Sequence, residues 1–360
     1  MAVRHSFSAW KFSASVLSAT AMIAGLAVTS ASADTVIRKG GAAPLNGDVT
    51  ASSKTELTVD KKVGGAETVP VNEVIDIRWE GEPPKLNLAR TNEHGGKLDL
   101  ALQTYTEIAK DSAGLNEKLK TDLEFLIARA TARQAMGDPG KLDEAAKKLA
   151  AFRQAHADNY REYEALSWLG QVQMAKKDFA AAQQTYDGLS RAPWPDYKLA
   201  AQAAQGRLLF LQDNVDGALA AYEAVLGASA GTPAEKSRQQ EALLGKASCL
   251  ERQQKYGEAL TSLDQLITEV SPEDRPLQAE AYLRQGDCLL AQGKTKEAII
   301  AYLHVDVLFD TEKGFHAEAL YRLATLWGQV GYPDRGVEAQ TTLESDYPNS
   351  EWFKKLTQKS

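Results

Sequence analysis

Histidine residues and a Gly-Lys-Thr run are the parts of this sequence whose side chains could bind metal or phosphate. Beyond the N-terminal region the histidines are His94, His156, His304 and His316, and none has a second His or a Cys three or four residues away. That spacing would place two metal ligands on one helix face. The run Gly293-Lys294-Thr295 lacks the earlier glycine of a phosphate-binding loop, and a turn between two helices explains it. We therefore predict no catalytic residues, no metal and no cofactor.

The N-terminal 33 residues have the pattern of an export signal. Arg4 and Lys11 precede an apolar run from about Val16 to Val28, and residues 31–33 are the small residues that a signal peptidase accepts. The run is shorter than the ~20 residues needed to cross a bilayer, and no later stretch is apolar enough. We predict cleavage after Ala33, no lipid-anchoring Cys, no transmembrane segment, and a periplasmic or secreted location.

The charge balance argues against nucleic acid and anionic membranes as partners. The 360-residue chain has a net charge of −7 at pH 7, and loss of Arg4 and Lys11 with the export signal leaves −9. Nucleic acids and anionic membrane surfaces are bound by concentrated Lys and Arg. The remaining length is enough for two domains, and two Cys do not make a disulfide framework.

A loose repeat runs along most of the chain. In residues 283–305 a Gly lies twelve residues before an Ala, and a Tyr follows that Ala by four. Apolar residues at three- and four-residue intervals mark two amphipathic helices around a short polar break. We predict seven helix–turn–helix hairpins, in which small residues let two helices approach and stacking buries the apolar faces. The small residues are, in the first helices, Ala89, Gly170, Gly206, Ala247, Gly286 and Ala324, and, in the second, Ala101, Ala145, Ala182, Ala218, Ala259, Ala298 and Gly336; Tyr105, Leu149, Tyr186, Tyr222, Leu263, Tyr302 and Gln340 follow.

Cys249 and Cys288 occupy the same place in consecutive hairpins, two residues after the small residue of the first helix. Equivalent places in stacked hairpins are about one interhelix spacing apart, ~9–10 Å, which is too far for a disulfide. We interpret both cysteines as small buried hydrophobic residues.

This pattern resembles the tetratricopeptide repeat (TPR) family over roughly residues 85–350. The resemblance rests on the Gly, Ala and Tyr positions above and on Pro348 after the last hairpin. Equivalent small residues of successive hairpins are 36 to 44 residues apart, whereas the repeat of the family is about 34 residues long. The additional residues lie between the hairpins and not within them. The resemblance implies a mainly α fold, an α-solenoid of about seven TPR-like hairpins, with residues 351–360 as a C-terminal capping helix.

Residues 34–80 have a different pattern. Short β-branched runs separated by Gly-Gly and Asn-Gly pairs predict strands at Thr35–Ile37, Asp48–Ala51, Glu56–Val59, Thr68–Val71 and Val74–Trp79. The segment is similar to SH3-like and Sm-like small β-barrels. We predict a small β-barrel domain that folds apart from the helices, followed by a linker at residues 81–84.

The TPR resemblance implies a binding groove lined by the first helices. Residues one and four after the small residue, and three before it, should point into this groove. An exposed mixture of Phe, Tyr and Arg would suit a peptide with apolar and acidic features; alternatively, Phe210 and Leu283 pack on the neighbouring hairpin. The predicted groove residues are Gln171, Met174, Arg207, Phe210, Leu244, Ser248, Glu251, Arg252, Leu283, Asp287, Leu290, Tyr321 and Thr325.

The function that the sequence favours is an exported, non-enzymatic scaffold that binds a protein or peptide in this groove. The alternative is a structural subunit of a bacterial envelope assembly, in the outer membrane or cell wall, that uses its edges and the barrel instead. The tail from Tyr347 to Ser360 resembles the ends of envelope repeat proteins. The partner and the oligomeric state do not follow from the sequence.

Overall fold

The computed structural model describes residues 33–111 and 113–358, so the predicted export signal, apart from Ala33, lies outside the described residues. The chain begins there with a β segment of six short strands and continues as helices. The strands are β1 (Thr35–Arg38), β2 (Leu45–Asn46), β3 (Asp48–Ser52), β4 (Glu56–Lys61), β5 (Gly65–Pro70) and β6 (Val74–Arg78).

The strands form two antiparallel sheets, with the orders β2-β1-β6 and β3-β4-β5. The chain passes from β2 to β3 through Gly47, where a Cβ would lie 2.5 Å from the carbonyl oxygen of Asp60. The sequence predicts five of these strands and misses the two-residue β2. The barrel is not closed, because no strand ladder joins the two sheets among the described residues. That correction reflects strand pairing, which a pattern of local turns does not determine.

The β segment shares its hydrophobic core with the first helices. Val36, Leu57 and Ile77 are fully buried and belong to one cluster with Leu86 and Leu123. A segment of about 47 residues buries little apolar surface by itself. The β segment and the first helices are therefore packed around one common core.

Fifteen α-helices follow within the described residues, and most begin at Pro or after a polar residue that caps the helix. The capping box of Thr232 and Glu235 at the start of α9 is one example. The helices are α1 (Pro84–His94), α2 (Leu98–Lys110), α3 (Glu117–Ala135), α4 (Leu142–Ala155), α5 (Glu162–Ala175), α6 (Phe179–Leu189), α7 (Pro195–Leu211), α8 (Val215–Leu226), α9 (Pro233–Arg252), α10 (Tyr256–Glu269), α11 (Arg275–Ala291), α12 (Thr295–Leu308), α13 (Lys313–Leu326), α14 (Pro333–Asp346) and α15 (Glu351–Thr357).

The helices succeed one another as seven hairpins, α1–α2 to α13–α14, and confirm the predicted TPR-like fold. The six alanines predicted at the crossings of the second helices, from Ala101 to Ala298, are all fully buried. The last hairpin departs from the pattern, since Gln340 is exposed and Leu343 is buried instead. Helix α15 follows, and the ring of Trp352 packs 5.4 Å from that of Tyr321.

The described residues divide into two compact units, and the division falls inside α7, after Ala201. The first unit holds the β segment and α1–α6, and α3 contacts α5. In the second unit α11 contacts both α9 and α13. These three helices therefore lie side by side, and we call α9, α11 and α13 the first-helix layer.

Candidate functional site

Six of the predicted groove residues are buried. Leu283 is completely inaccessible in the core of the second unit, and Tyr321 belongs to the same cluster. Phe210 is 6% exposed, and the guanidinium of Arg252 lies 5.1 Å from the centre of its ring. These side chains pack inside the array, which agrees with the alternative interpretation of Phe210 and Leu283. The full buried set is Met174, Phe210, Leu244, Ser248, Leu283 and Tyr321.

The other predicted groove residues are half-buried and contact neighbouring residues of the array. The hydroxyl of Thr325 donates to the carbonyl oxygen of Tyr321 at 3.1 Å, and Arg252 pairs with Asp213 at 2.7 Å. Of all the predicted groove residues, only Gln171 and Met174 belong to the first unit, where they lie on α5; the others belong to the second unit. The half-buried set is Gln171, Arg207, Glu251, Arg252, Asp287, Leu290 and Thr325.

Asp287 lies at the centre of an ionic cluster in the first-helix layer, which we define as Glu251, Arg284, Asp287, Glu318 and Arg322. Arg284 donates to Asp287 at 2.6 Å and to Glu318 at 3.0 Å. Arg322 forms an ion pair with Asp287 at 2.9 Å. The cluster therefore connects α11 to α13 through the hydrogen bond between Arg284 and Glu318 and the ion pair between Arg322 and Asp287. Charge-assisted hydrogen bonds are stronger than neutral ones.

Tyr302 extends the ionic cluster toward the second helix of the same hairpin. Its ring lies against Gly286, and its hydroxyl donates to Asp287 at 2.8 Å. Burial raises the pKa of this hydroxyl well above its usual value, and the neighbouring Asp287 carboxylate raises it further. Tyr302 is therefore a permanent hydrogen-bond donor to Asp287.

Glu251 is the member of the ionic cluster whose charge is least favoured. Burial raises the pKa of Glu251 to about 7, and the carboxylate of Asp287 acts in the same direction. Arg284 and Arg322 lower it only in part. Its carboxyl therefore exchanges a proton near neutral pH, where an added positive charge would favour the ionised form.

A second ionic cluster, in the first unit, was not predicted from the sequence. Asp122 accepts hydrogen bonds from Arg161 at 3.1 Å and from the hydroxyl of Tyr160 at 2.6 Å. Arg161 also donates to Asp76 of β6 at 2.6 Å, and Arg90 pairs with Asp76 at 2.9 Å. Through these contacts β6 is bound to Arg90 of α1 and to Arg161, which precedes α5.

The sequence gives little signal for this second cluster. Arg161 and Asp76 are separated by 85 residues, and neither occupies a position that recurs in the hairpins. The one available hint is the number of charged residues next to apolar ones in α3, where Asp122 stands between Leu119 and Leu123. Buried charges require partners, but a sequence does not say which.

His316, the two cysteines and the Gly-Lys-Thr run, whose residue types are suited to catalysis or ligand binding, have contacts or conformations that the fold explains. His316 lies between Tyr347 and Asp306, at 2.8 and 2.9 Å. Cys249 and Cys288 are free and buried, as predicted, and burial raises the pKa of both thiols to about 12. Gly293 has a φ of 78° at a hairpin turn, where Gln254 of the preceding hairpin has 62°. The Gly-Lys-Thr run is therefore a turn, as predicted.

The repeat geometry agrees with comparisons to known proteins. A family model described as tetratricopeptide repeat matches residues 128–198, 203–274 and 244–305. The helical array is built of tetratricopeptide repeats. The hairpins outside the matched ranges, at both ends of the array, have the same arrangement of two helices in contact.

Solved structures share the TPR fold at low sequence identity. A tetratricopeptide repeat protein from Parabacteroides merdae is 19% identical, with a TM-score of 0.51, over 76% of this chain and 96% of that one. The apo form of RapI is 13% identical, with a TM-score of 0.50, over 76% and 79% of the two chains. A Rap protein complexed with competence and sporulation factor is 16% identical, with the same TM-score and coverage.

Among curated protein sequences, none matches the chain. Within residues 33–111 and 113–358, no helix of the TPR protein has both the length and the apolar character that crossing a bilayer requires. In the same residues, no group of His, Cys, Asp and Glu side chains is arranged to hold a metal ion.

Proposed function

We propose that this TPR protein is an exported, non-enzymatic scaffold that holds a protein or peptide partner on the first-helix layer of its second unit. TPR folds serve as protein-interaction scaffolds. The half-buried members of the predicted groove set on α9, α11 and α13 are Glu251, Arg252, Asp287, Leu290 and Thr325. They supply both charged and apolar contacts.

The ionic cluster is the observation that carries this proposal. Replacing buried ion pairs by apolar residues of similar volume often leaves a protein equally stable or stabilises it. The stability of the first-helix layer therefore does not require charged residues at the positions of the ionic cluster. Arg322 and Glu251 keep part of their surface accessible. Fixed charges at the surface of a repeat array give a partner both orientation and specificity.

Export is supported by the sequence of residues 1–33, with its two basic residues, its apolar run and its Ala-Ser-Ala end. The expected mature chain begins at Asp34. Edman sequencing of the protein purified from the periplasm or culture medium, in a bacterium that exports it, tests this part of the proposal. An N-terminus at Met1 or Ala2 would contradict it.

An envelope subunit that binds through its edges is the second candidate, and exposed apolar side chains favour it. Ile300, Val307 and Leu308 on α12 are 55%, 69% and 50% exposed. Large apolar side chains grouped at a surface often mark contacts between proteins. This candidate places the partner on the second helices instead of the first-helix layer.

Photo-crosslinking separates the two candidates. A photoreactive phenylalanine analogue at Leu290 samples the first-helix layer, and the same residue at Ile300 samples the surface of α12. We expect a discrete crosslinked polypeptide from position 290 in the native envelope and none from position 300. Crosslinks from position 300 alone would support the edge-binding subunit and reject the scaffold proposal.

A further inference from the structure

One glutamate of the first-helix layer lacks the hydrogen bond from an arginine that its equivalents in other repeats have. Glu164, Glu280 and Glu318 each lie six residues before the small residue of their first helix. In the first unit, Arg129 of α3 donates to Glu164 of α5 at 3.1 Å. In the second, Arg284 of α11 donates to Glu318 of α13 at 3.0 Å. In each of these two pairs, an arginine of one first helix donates to a glutamate of the next first helix.

Glu280 of α11 has no such arginine donor. Its side chain is 6% exposed, and its Oε1 atom has no hydrogen-bond partner in the part of the chain that the structure describes. The paired arginines precede their glutamates by 35 and 34 residues, and the corresponding residues before Glu280 are Gly245 and Lys246. Gly245 has no side chain, and Lys246 pairs with Glu223 at 3.2 Å.

The chain cannot supply the missing cation from position 245. The ring of Tyr222 covers Gly245 so closely that a Cβ there would lie 2.3 Å from Cζ. Burial raises the pKa of Tyr222 above its usual value, and the negative charge of Glu280 contributes to the increase. Gly245 and Glu280 occupy the repeat positions of Arg284 and Glu318, which form an ion pair. The Tyr222 ring over Gly245 therefore lies on the side of Glu280 where the arginine of the next repeat would stand.

Charged groups lie near Glu280, but none of the described residues donates a hydrogen bond to its Oε1 atom. Burial raises the pKa of Glu280 to about 7, Arg284 and Arg207 lower it, and Glu318 raises it. The guanidinium of Arg284 already forms ion pairs with Asp287 and Glu318. A buried carboxylate without a partner costs free energy, and a positive charge brought by a ligand would recover that cost.

We propose that an arginine side chain of the bound polypeptide occupies this place, pairing its guanidinium with Glu280 beside the ring of Tyr222. A guanidinium fits both neighbours, because its planar fork pairs with a carboxylate and its face stacks on aromatic rings. Its long apolar stem reaches a carboxylate that lies below the surface. This inference rests on the proposed function, since the bound polypeptide delivers the arginine.

Selection from a phage-displayed library of random heptapeptides tests the inference on residues 34–360. The wild-type protein is compared with Glu280→Gln, which keeps the shape of the side chain and removes its charge. Because the pKa of Glu280 is about 7, its neutral form is already well populated near neutral pH, and we expect the variant to fold. Glu241→Gln is the matched control, since Glu241 lies at the same repeat position in α9 and pairs with Arg238 at 2.7 Å.

We expect the wild type and Glu241→Gln to select peptides with an arginine at one fixed position, and Glu280→Gln to lose that preference. Replacing this arginine by citrulline, its uncharged isostere, should weaken binding to the wild type about tenfold or more. Selected peptides without a fixed arginine, or equal selection by Glu280→Gln, would overturn the inference and leave the proposed function standing. Failure of the wild type to select any peptide would count against both.

Discussion

Tyr302 covers Gly286 so closely that a Cβ at position 286 would lie 2.5 Å from Cε1 of the ring. Tyr186 stands in the same relation to Gly170, at 2.6 Å. The Tyr302 ring is fully buried, and its hydroxyl donates to Asp287. The contact therefore fixes the two helices of a hairpin and also holds a charged residue of the first-helix layer in place.

Gly286→Ala should destabilise the second unit, because the added Cβ forces the Tyr302 ring or one of the helices to move. Overpacking of this kind costs about 1–3 kcal/mol. Gly257→Ala is the control, since a Cβ there meets nothing within 4 Å, and it should leave stability unchanged or slightly increased. Thermal unfolding followed by circular dichroism measures both. Equal midpoints for the two variants would show that the crossing is looser than described.

Asp122→Asn should destabilise the first unit strongly. Asp122 is 1% exposed, and its charge is paired with Arg161, whose side chain is 2% exposed. Removing one partner of a buried pair costs about 3 kcal/mol. The control Glu117→Gln changes a side chain that is 87% exposed, for which the expected change is below about 0.5 kcal/mol. Urea unfolding compares the two, and a small effect of Asp122→Asn would mean that the cluster is not needed for stability.

Removal of residues 34–82 should loosen α1–α3 and spare the second unit. The deletion exposes Leu86 and Leu123, which share a core with the strands, and it removes Asp76, the partner of Arg90 and Arg161. Hydrogen exchange read by mass spectrometry should show faster exchange in α1–α3 and unchanged exchange in α11–α14. Unchanged protection of α1–α3 would instead support the independent β domain expected from the sequence.

Glu280→Gln should change how stability depends on pH. Burial raises the pKa of Glu280 from 4.5 to about 7 against the attraction of Arg284 and Arg207, and Glu318 adds to the increase. Because the folded state binds the proton more tightly, the stabilising contribution of this group is complete below about pH 4.5 and is lost as the pH rises through about 7.

The glutamine introduced by Glu280→Gln does not titrate, so the stability of this variant relative to the wild type should increase between about pH 5 and about pH 8. Urea unfolding at the two pH values measures this difference. A constant difference would indicate that Glu280 has a partner after all and that no place for a cation exists beside Gly245.

The repeat architecture could be predicted because its determinants are local. Ala298 and Tyr302 are four residues apart and lie on one face of α12. Gly286 lies twelve residues before Ala298, on the other side of the turn that joins α11 to α12. Burial follows from such spacing. For this reason the sequence correctly predicts that the alanines at the helix crossings and both cysteines are buried.

The contacts of the ionic groups depend on side chains far apart in the chain and could not be assigned in this way. Leu283 lies at a position expected to face the groove, yet it is fully buried because α13 packs beside α11. Glu280 lacks an arginine donor because Gly245 stands 35 residues earlier, and the Tyr222 ring covers that glycine. The pairing of the two sheets is likewise non-local.

Binding measured with a substitution in the first-helix layer tests the scaffold function most directly. Thr325→Arg places a bulky cation beside the ionic cluster, and Thr341→Arg on α14 is its match, since each hydroxyl donates to the carbonyl oxygen four residues earlier. With the polypeptide crosslinked at position 290 as ligand, Thr325→Arg should raise the dissociation constant about tenfold, and Thr341→Arg should leave it unchanged. Weakening by Thr341→Arg alone would contradict binding on the first-helix layer.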